Sequence, residues 1–136
     1  MDEETMILAK TLYGEARSEG LAGIEAVANV ILNRVKHAKQ CGFFWWGNTI
    51  KEVCLKPFQF SCWNNGDKNR PLLDRDLSGD VIFGVCLRVA VRAIKGLLPD
   101  TTKGATHYHT KSVHPKWAHA LVPCAEIGQH LFYAER

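Results

Sequence analysis

Two glutamates lie where an amphipathic helix should keep its apolar residues. From Thr5 to Glu19 the stretch TMILAKTLYGEARSE reads as a helix, with Thr5 as its cap and Gly20 as its stop. At about 100° per residue, with Leu8 at zero, Leu12 falls about 40° to one side and Glu15 about 20° to the other. Glu19 falls near Leu12. Both glutamates therefore share the apolar arc, and Arg17 points to the opposite, solvent side. Burial disfavours an ionised carboxylate, and a like charge one turn away disfavours it further. A carboxylic acid still protonated near neutral pH is what general-acid cleavage of a glycosidic bond requires. The plainer alternatives are a glutamate satisfied by Arg or backbone, or a helix end that tilts it into water. Glu19, in the last turn, is more open to the second than Glu15.

A second set of residues combines rings with amides and imidazoles. Gln59, Phe60, Ser61, Trp63 and Asn64 follow Pro57. His107, Tyr108 and His109 sit together, and Trp117, His119, His130 and Tyr133 come after them. Sugar sites pair aromatic faces, for C–H surfaces, with such hydrogen-bonding groups. Each ring taken alone fits a core position equally well. The loop CGFFWWGN, Cys41 to Asn48, adds four adjacent rings.

Five of the six histidines follow residue 106. His107 and His109 form HxH, with His114 and His119 nearby, so a zinc peptidase or amidase is a rival reading. HExxH is absent, and alternating strand histidines are common without metal, so no metal ligand is assigned. The five cysteines, Cys41, Cys54, Cys62, Cys86 and Cys124, contain no CxxC. Cys54 and Cys62, eight apart around Pro57, could approach each other, but free thiols are the default in a reducing compartment. Cys86 reads as a small buried hydrophobe. No residue nearby singles out a nucleophilic cysteine. GxGxxG, GxxxxGKS and GxSxG are all missing, and no cofactor is indicated.

The elements that must position these residues fit one domain, residues 1–136. The chain is 46% hydrophobic and 23% charged, which excludes a disordered tail. A net charge of +3, spread along the chain, is too weak for a nucleic-acid binder. No apolar run nears the roughly 20 residues that cross a bilayer, so no membrane insertion is expected. Ile24 to Ala38 reads as a second helix, from Ile24, Val27, Ala28, Ile31 and Val35. Thr49 to Leu55 fits a short helix capped by Thr49, with Glu52 three residues on. Lys56 to Pro71 reads as a loop. Asp80 to Gly96 is a long helix, apolar nearly all round and so expected at the centre of a core. Ala105 to Thr110 and Ile127 to Ala134 alternate like strands, paired with each other.

Three ordered motifs resemble the SleB-type cell-wall hydrolases, the family of the spore-cortex-lytic enzymes. The first is Tyr13, Glu15, Ala16, Arg17 and Glu19, then Ile31, Leu32, Asn33 and Arg34. PFQFSCW, Pro57 to Trp63, is the second, and IGQHLFY, Ile127 to Tyr133, the third. The resemblance implies an α+β, mainly helical, lysozyme-like fold with a small antiparallel β element in the C-terminal third. It implies cleavage of the MurNAc–GlcNAc bond of peptidoglycan, with Glu15 as catalytic acid, by lytic transglycosylase chemistry giving 1,6-anhydroMurNAc ends. A hydrolytic muramidase would need a second carboxylate, for which Glu19, Asp67, Asp74 and Asp76 are available. Substrate contacts are expected from Gln59, Phe60, Ser61, Trp63, His107, Tyr108, His109, Trp117, His130 and Tyr133. A non-catalytic glycan-binding module using Trp63, Trp117 and the FFWW loop is the remaining alternative. Spore enzymes of this type generally carry a secretion signal and a wall-binding domain, and FFWW and the His-rich segment exceed the family's core pattern. A signal-less enzyme of this kind fits a phage endolysin: a monomer held in the cytoplasm that reaches the wall after release.

Overall fold

In the computed structural model, which describes residues 2–134, five α-helices precede a three-stranded antiparallel sheet. α1 spans Glu3–Ala16 and α2 Gly20–Gln40. The short α3 (Ile50–Leu55) and α4 (Arg70–Leu73) flank a 3-10 turn at Ser61–Trp63. α5 is Val81–Ile94. β1 (His107–Thr110) is followed by a second 3-10 turn at Lys116–Ala118, then β2 (Ala125–Ile127) and β3 (His130–Tyr133). The fold is α+β and mainly helical, with its sheet in the C-terminal part.

The helix ends follow local chemistry, with two departures from expectation. α1 is capped by Asp2, whose Oδ1 accepts from Thr5 N at 2.7 Å, while Glu3 and Glu4 complement the helix dipole. Thr5, expected as the cap, lies inside the helix and is buried. α1 also stops at Ala16, three residues before the expected Glu19. Arg17 Nη1 donates to the carbonyls of Tyr13 (3.3 Å) and Gly14 (3.5 Å), and Nη2 donates to Asn69 Oδ1 at 2.8 Å. Rather than pointing into solvent, Arg17 closes the helix and ties it to the 64–70 loop. Gly20 does not end a helix but opens one, at φ 74. Thr49 caps α3 as expected, accepting from Glu52 N at 3.1 Å. Asp80 caps α5 by accepting from Phe83 N at 2.9 Å, and it also accepts from Tyr13 Oη at 2.8 Å. One carboxylate thus starts α5 and pins it to α1.

The main core lies among α1, α2, α3 and α5 and includes Leu8, Leu12, Val27, Ile31, Val53 and Val89. α5 lays Phe83, Cys86, Val89, Ala90 and Ala93 on it but leaves Val81 and Ile82 exposed. α2 is buried on two sides and contributes to both cores. Its opposite face, Ala26 and Val30, forms a second small core with Ala105 and Phe132. β3 is the central strand, pairing its Phe132 with Tyr108 of β1 on one side and with Ala125 of β2 on the other. Gly128, at φ 56, supplies the turn between β2 and β3. β2, at three residues, is too short for its alternation to show in sequence.

Candidate active site

Glu15 is the penultimate residue of α1 and is half-buried. Its Oε1 accepts from Tyr108 Oη at 3.0 Å and its Oε2 accepts from Cys62 N at 3.2 Å. Gly14 makes the second contact possible. A Cβ there would stand 2.6 Å from Cys62 Cβ, so only glycine lets the 57–63 loop come this close to α1. Burial and the neighbouring Glu15 carboxylate push the Tyr108 phenol well above its usual range, so it stays a proton donor. Burial, then Glu15, also raises the Cys62 thiol. Cys54 and Cys86 are raised by burial as well. Such thiols stay protonated, which is the wrong state for a nucleophile.

Arg34, in α2, holds three loops together. Its Nε donates to Thr106 O at 2.7 Å and its Nη1 to Gln59 Oε1 at 3.4 Å. The guanidinium lies 5.1 Å from the Trp46 ring and 5.4 Å from the Phe60 ring. The Arg34 carbonyl accepts from Trp46 Nε1 at 2.8 Å, so the fully buried Trp46 anchors the 41–48 loop.

Glu15 opens into a cleft of about 770 Å³. Of the residues expected from sequence, Glu15, Gln59, Phe60, His107, Tyr108, Trp117 and Tyr133 line it. Arg34, Trp45, Phe58, Leu121 and Ala134 line it too. In the sequence Arg34 stands out only within the ILNR motif and Trp45 only within FFWW. Phe58 carried no sequence signal beyond its place in PFQFSCW.

Several expected contacts lie elsewhere. Ser61 is exposed beside the cleft, not lining it. Trp63 turns to α1, donating from Nε1 to Thr11 Oγ1 at 2.8 Å. His109 is not part of the cleft lining but packs on Trp117 and Tyr133, which are. Its Nδ1 is 2.7 Å from the Thr110 carbonyl, which can only accept, so in the neutral ring Nε2 accepts from Tyr133 Oη at 2.8 Å. His130 is buried, with its ring edge-on to Tyr108 at 5.1 Å. Its Nδ1 stands 3.3 Å from Glu19 Oε1, an ion-pair distance without hydrogen-bond alignment. Glu19 is therefore neither on α1 nor in the cleft. It precedes α2 and faces His130, because α1 ends before the turn that would have stacked it over Glu15. Asp67, Asp74 and Asp76 do not line the cleft either. Among the described residues, Glu15 is its one carboxylate. A more open hollow of about 470 Å³ between α2 and α5 holds lysines but no acid. No trio of His, Cys, Asp or Glu among the described residues is arranged to hold a metal, and all five cysteines are free.

Residues 18–133 match the model of the Cell Wall Hydrolase family. The chain belongs to the cell wall hydrolase family. The chain is 27% identical over 134 residues to a spore cortex-lytic enzyme of Halalkalibacterium halodurans, covering 96% of the chain but 34% of that protein. To a spore cortex-lytic enzyme of Bacillus cereus it is 27% identical over 132 residues, covering 95% of the chain and 43% of the relative. The chain thus spans less than half of each. Its fold matches the catalytic domain of the germination-specific lytic transglycosylase SleB from Bacillus anthracis. There the TM-score is 0.73 and the identity 28%, over 98% of this chain and 95% of the other. The catalytic domain of the Bacillus cereus SleB protein matches with TM-score 0.73 and 27% identity, over 96% and 88%. The family match begins three residues after Glu15, whereas the structural matches run across nearly the whole chain.

Proposed function

We propose that this cell wall hydrolase cuts the peptidoglycan glycan strand between MurNAc and GlcNAc as a lytic transglycosylase, with Glu15 as general acid and then base. The observation that carries the proposal is a single cleft carboxylate gripped at both oxygens, by Tyr108 and by Cys62 N. Each oxygen accepts one of these bonds and keeps a further lone pair for a transferable proton. In the proposed step Glu15 gives its proton to the glycosidic oxygen as the C1–O bond breaks, and the GlcNAc side leaves as an alcohol. The carboxylate then takes the proton of the MurNAc C6 hydroxyl as O6 bonds to C1. The 1,6-anhydro ring forms, Glu15 is acidic again and no water is consumed. One carboxylate suffices for this route. A retaining or inverting hydrolase of the common type needs a partner carboxylate about 5–10 Å away, and Glu19 lies outside the cleft lining, facing His130.

Glu15→Gln is expected to abolish clearing of a purified wall suspension while its thermal melt matches the parent. Clearing at the parental rate would sink the proposal. Mass spectrometry of the released muropeptides separates the routes: anhydroMurNAc ends mean transglycosylase, reducing MurNAc ends mean muramidase. An endolysin-like life, as a monomer stored in the cytoplasm until the membrane is breached, belongs to the same proposal. Five free thiols, at home in a reducing compartment, support it. It is tested by expressing the chain in bacterial cytoplasm and asking whether lysis waits for membrane permeabilisation.

A further inference from the structure

We infer that Phe58 and Trp45 form a stacking platform for pyranose rings of the glycan beyond the bond that Glu15 acts on. The inference rests on the glycan-cleaving reading above. Phe58 combines two features that folding alone does not favour. Its φ is 64°, in the left-handed region that a bulky residue enters only under strain. The residue is 83% exposed, so burial returns almost nothing for that strain. The reversal at Phe58 turns Gln59 and Phe60 inward to Arg34 and leaves the Phe58 ring on the cleft rim. A glycine would make the same turn without strain. The ring must be there for something outside the folded chain.

Trp45 reaches the same cleft from the 41–48 loop and is 48% exposed. It is not a loose side chain. It packs 5.5 Å from Trp46, which is itself buried and bonded to Arg34. From Trp46 the wall continues through His107 (5.8 Å) to Trp117 (5.4 Å). Sugar rings present flat C–H faces that aromatic rings cover, while Gln59 and His107 can reach their hydroxyls. Continuity with Glu15 in one cleft commits the occupant to the glycan strand rather than to another protein. Phe43 supplies the comparison: it is exposed in the same loop but does not line the cleft.

The test uses the full chain carrying Glu15→Gln, with GlcNAc oligomers as soluble probe and purified sacculi as polymer. Affinity is read by tryptophan fluorescence and co-sedimentation. Trp45→Ala and Phe58→Gly are each expected to weaken oligomer binding about fivefold to tenfold, and Phe43→Ala to leave it alone. Phe58→Gly should keep or raise Tm, because glycine relieves the strained φ. Parental affinity in both cleft variants overturns the inference, as does failure of the parent to bind oligomers. Equal loss in Phe43→Ala overturns it in favour of general apolar adhesion. A Tm drop beyond about 5 °C in Phe58→Gly overturns it in favour of a structural ring. Oligomer binding by the platform in a protein that fails, with Glu15 intact, to clear walls would remove the cleavage reading and leave the platform standing.

Discussion

Glu15 is held at one oxygen by a phenol and at the other by a backbone N–H, and only the first hold can be removed by substitution. Tyr108→Phe deletes one hydroxyl and keeps the ring against His130 and Phe132. Its expected effect is a fall in kcat of about tenfold to hundredfold, as for loss of a positioning hydrogen bond at the proposed acid–base group. KM should stay within about twofold and Tm nearly unchanged, since a packed ring is conserved. Steady-state kinetics on walls check this, and an unaltered kcat would refute the positioning role. The half-buried position of Glu15 was legible in the sequence because helical periodicity sets this carboxylate against the apolar arc of α1. Tyr108 was legible only as a residue type inside HYH. Nothing local announced its partner, which is 93 residues away. Phe58 was invisible for a similar reason: what marks it is a backbone angle, and phenylalanine is not a residue that advertises a positive φ.

The junction between α1 and α2 meets the β3 strand at Glu19 and His130. Burial lowers the His130 pKa below its ordinary 6.5, against the pull of Glu19 and Glu15, while His109 acts with burial. The folded state thus binds fewer protons at this ring than the unfolded chain does. Stability from this group is fully present above about pH 6.5 and is lost as pH falls from there toward the lowered folded value. Tm measured from pH 7.5 down to 5 should therefore fall less steeply in His130→Gln than in the parent, and equal slopes would remove His130 from the account. At this scale the sequence was read well where partners are near. Thr49 and Glu52 marked α3, and apolar spacing marked α2. It was misread where partners are distant. The end of α1 is set by Arg17 reaching Asn69, a contact across 52 residues that no helix-stop rule contains. The long apolar helix proved to be one-sided, because hydrophobic composition does not say which face the rest of the chain will cover.

Across the whole molecule the cleft sits where the helical core meets the small core behind the sheet, and Tyr108 packs against both. Trp46 fastens that seam, with its indole fully buried and its N–H on the Arg34 carbonyl. Trp46→Ala is expected to cost about 3–5 kcal/mol, which for a domain of this size lowers Tm by roughly 10 °C or more. Calorimetry checks it, and a drop of only a few degrees would mean the seam is closed by other contacts. The order of helices before strands was legible from periodicity, and the α+β class from the family resemblance. The cleft as a whole was not, because its lining comes from α1, α2, three loops and two strands, and only the folded chain brings these together. One practical consequence follows from Ala134, the residue after β3, which belongs to the cleft lining. A reporter fused directly after Ala134 would start at the edge of the cleft and is expected to slow the proposed wall cleavage. The other end carries its own condition, since Asp2 caps α1. A tag is best placed ahead of residue 1, with Asp2 retained, and immobilisation for wall-binding assays should use that end.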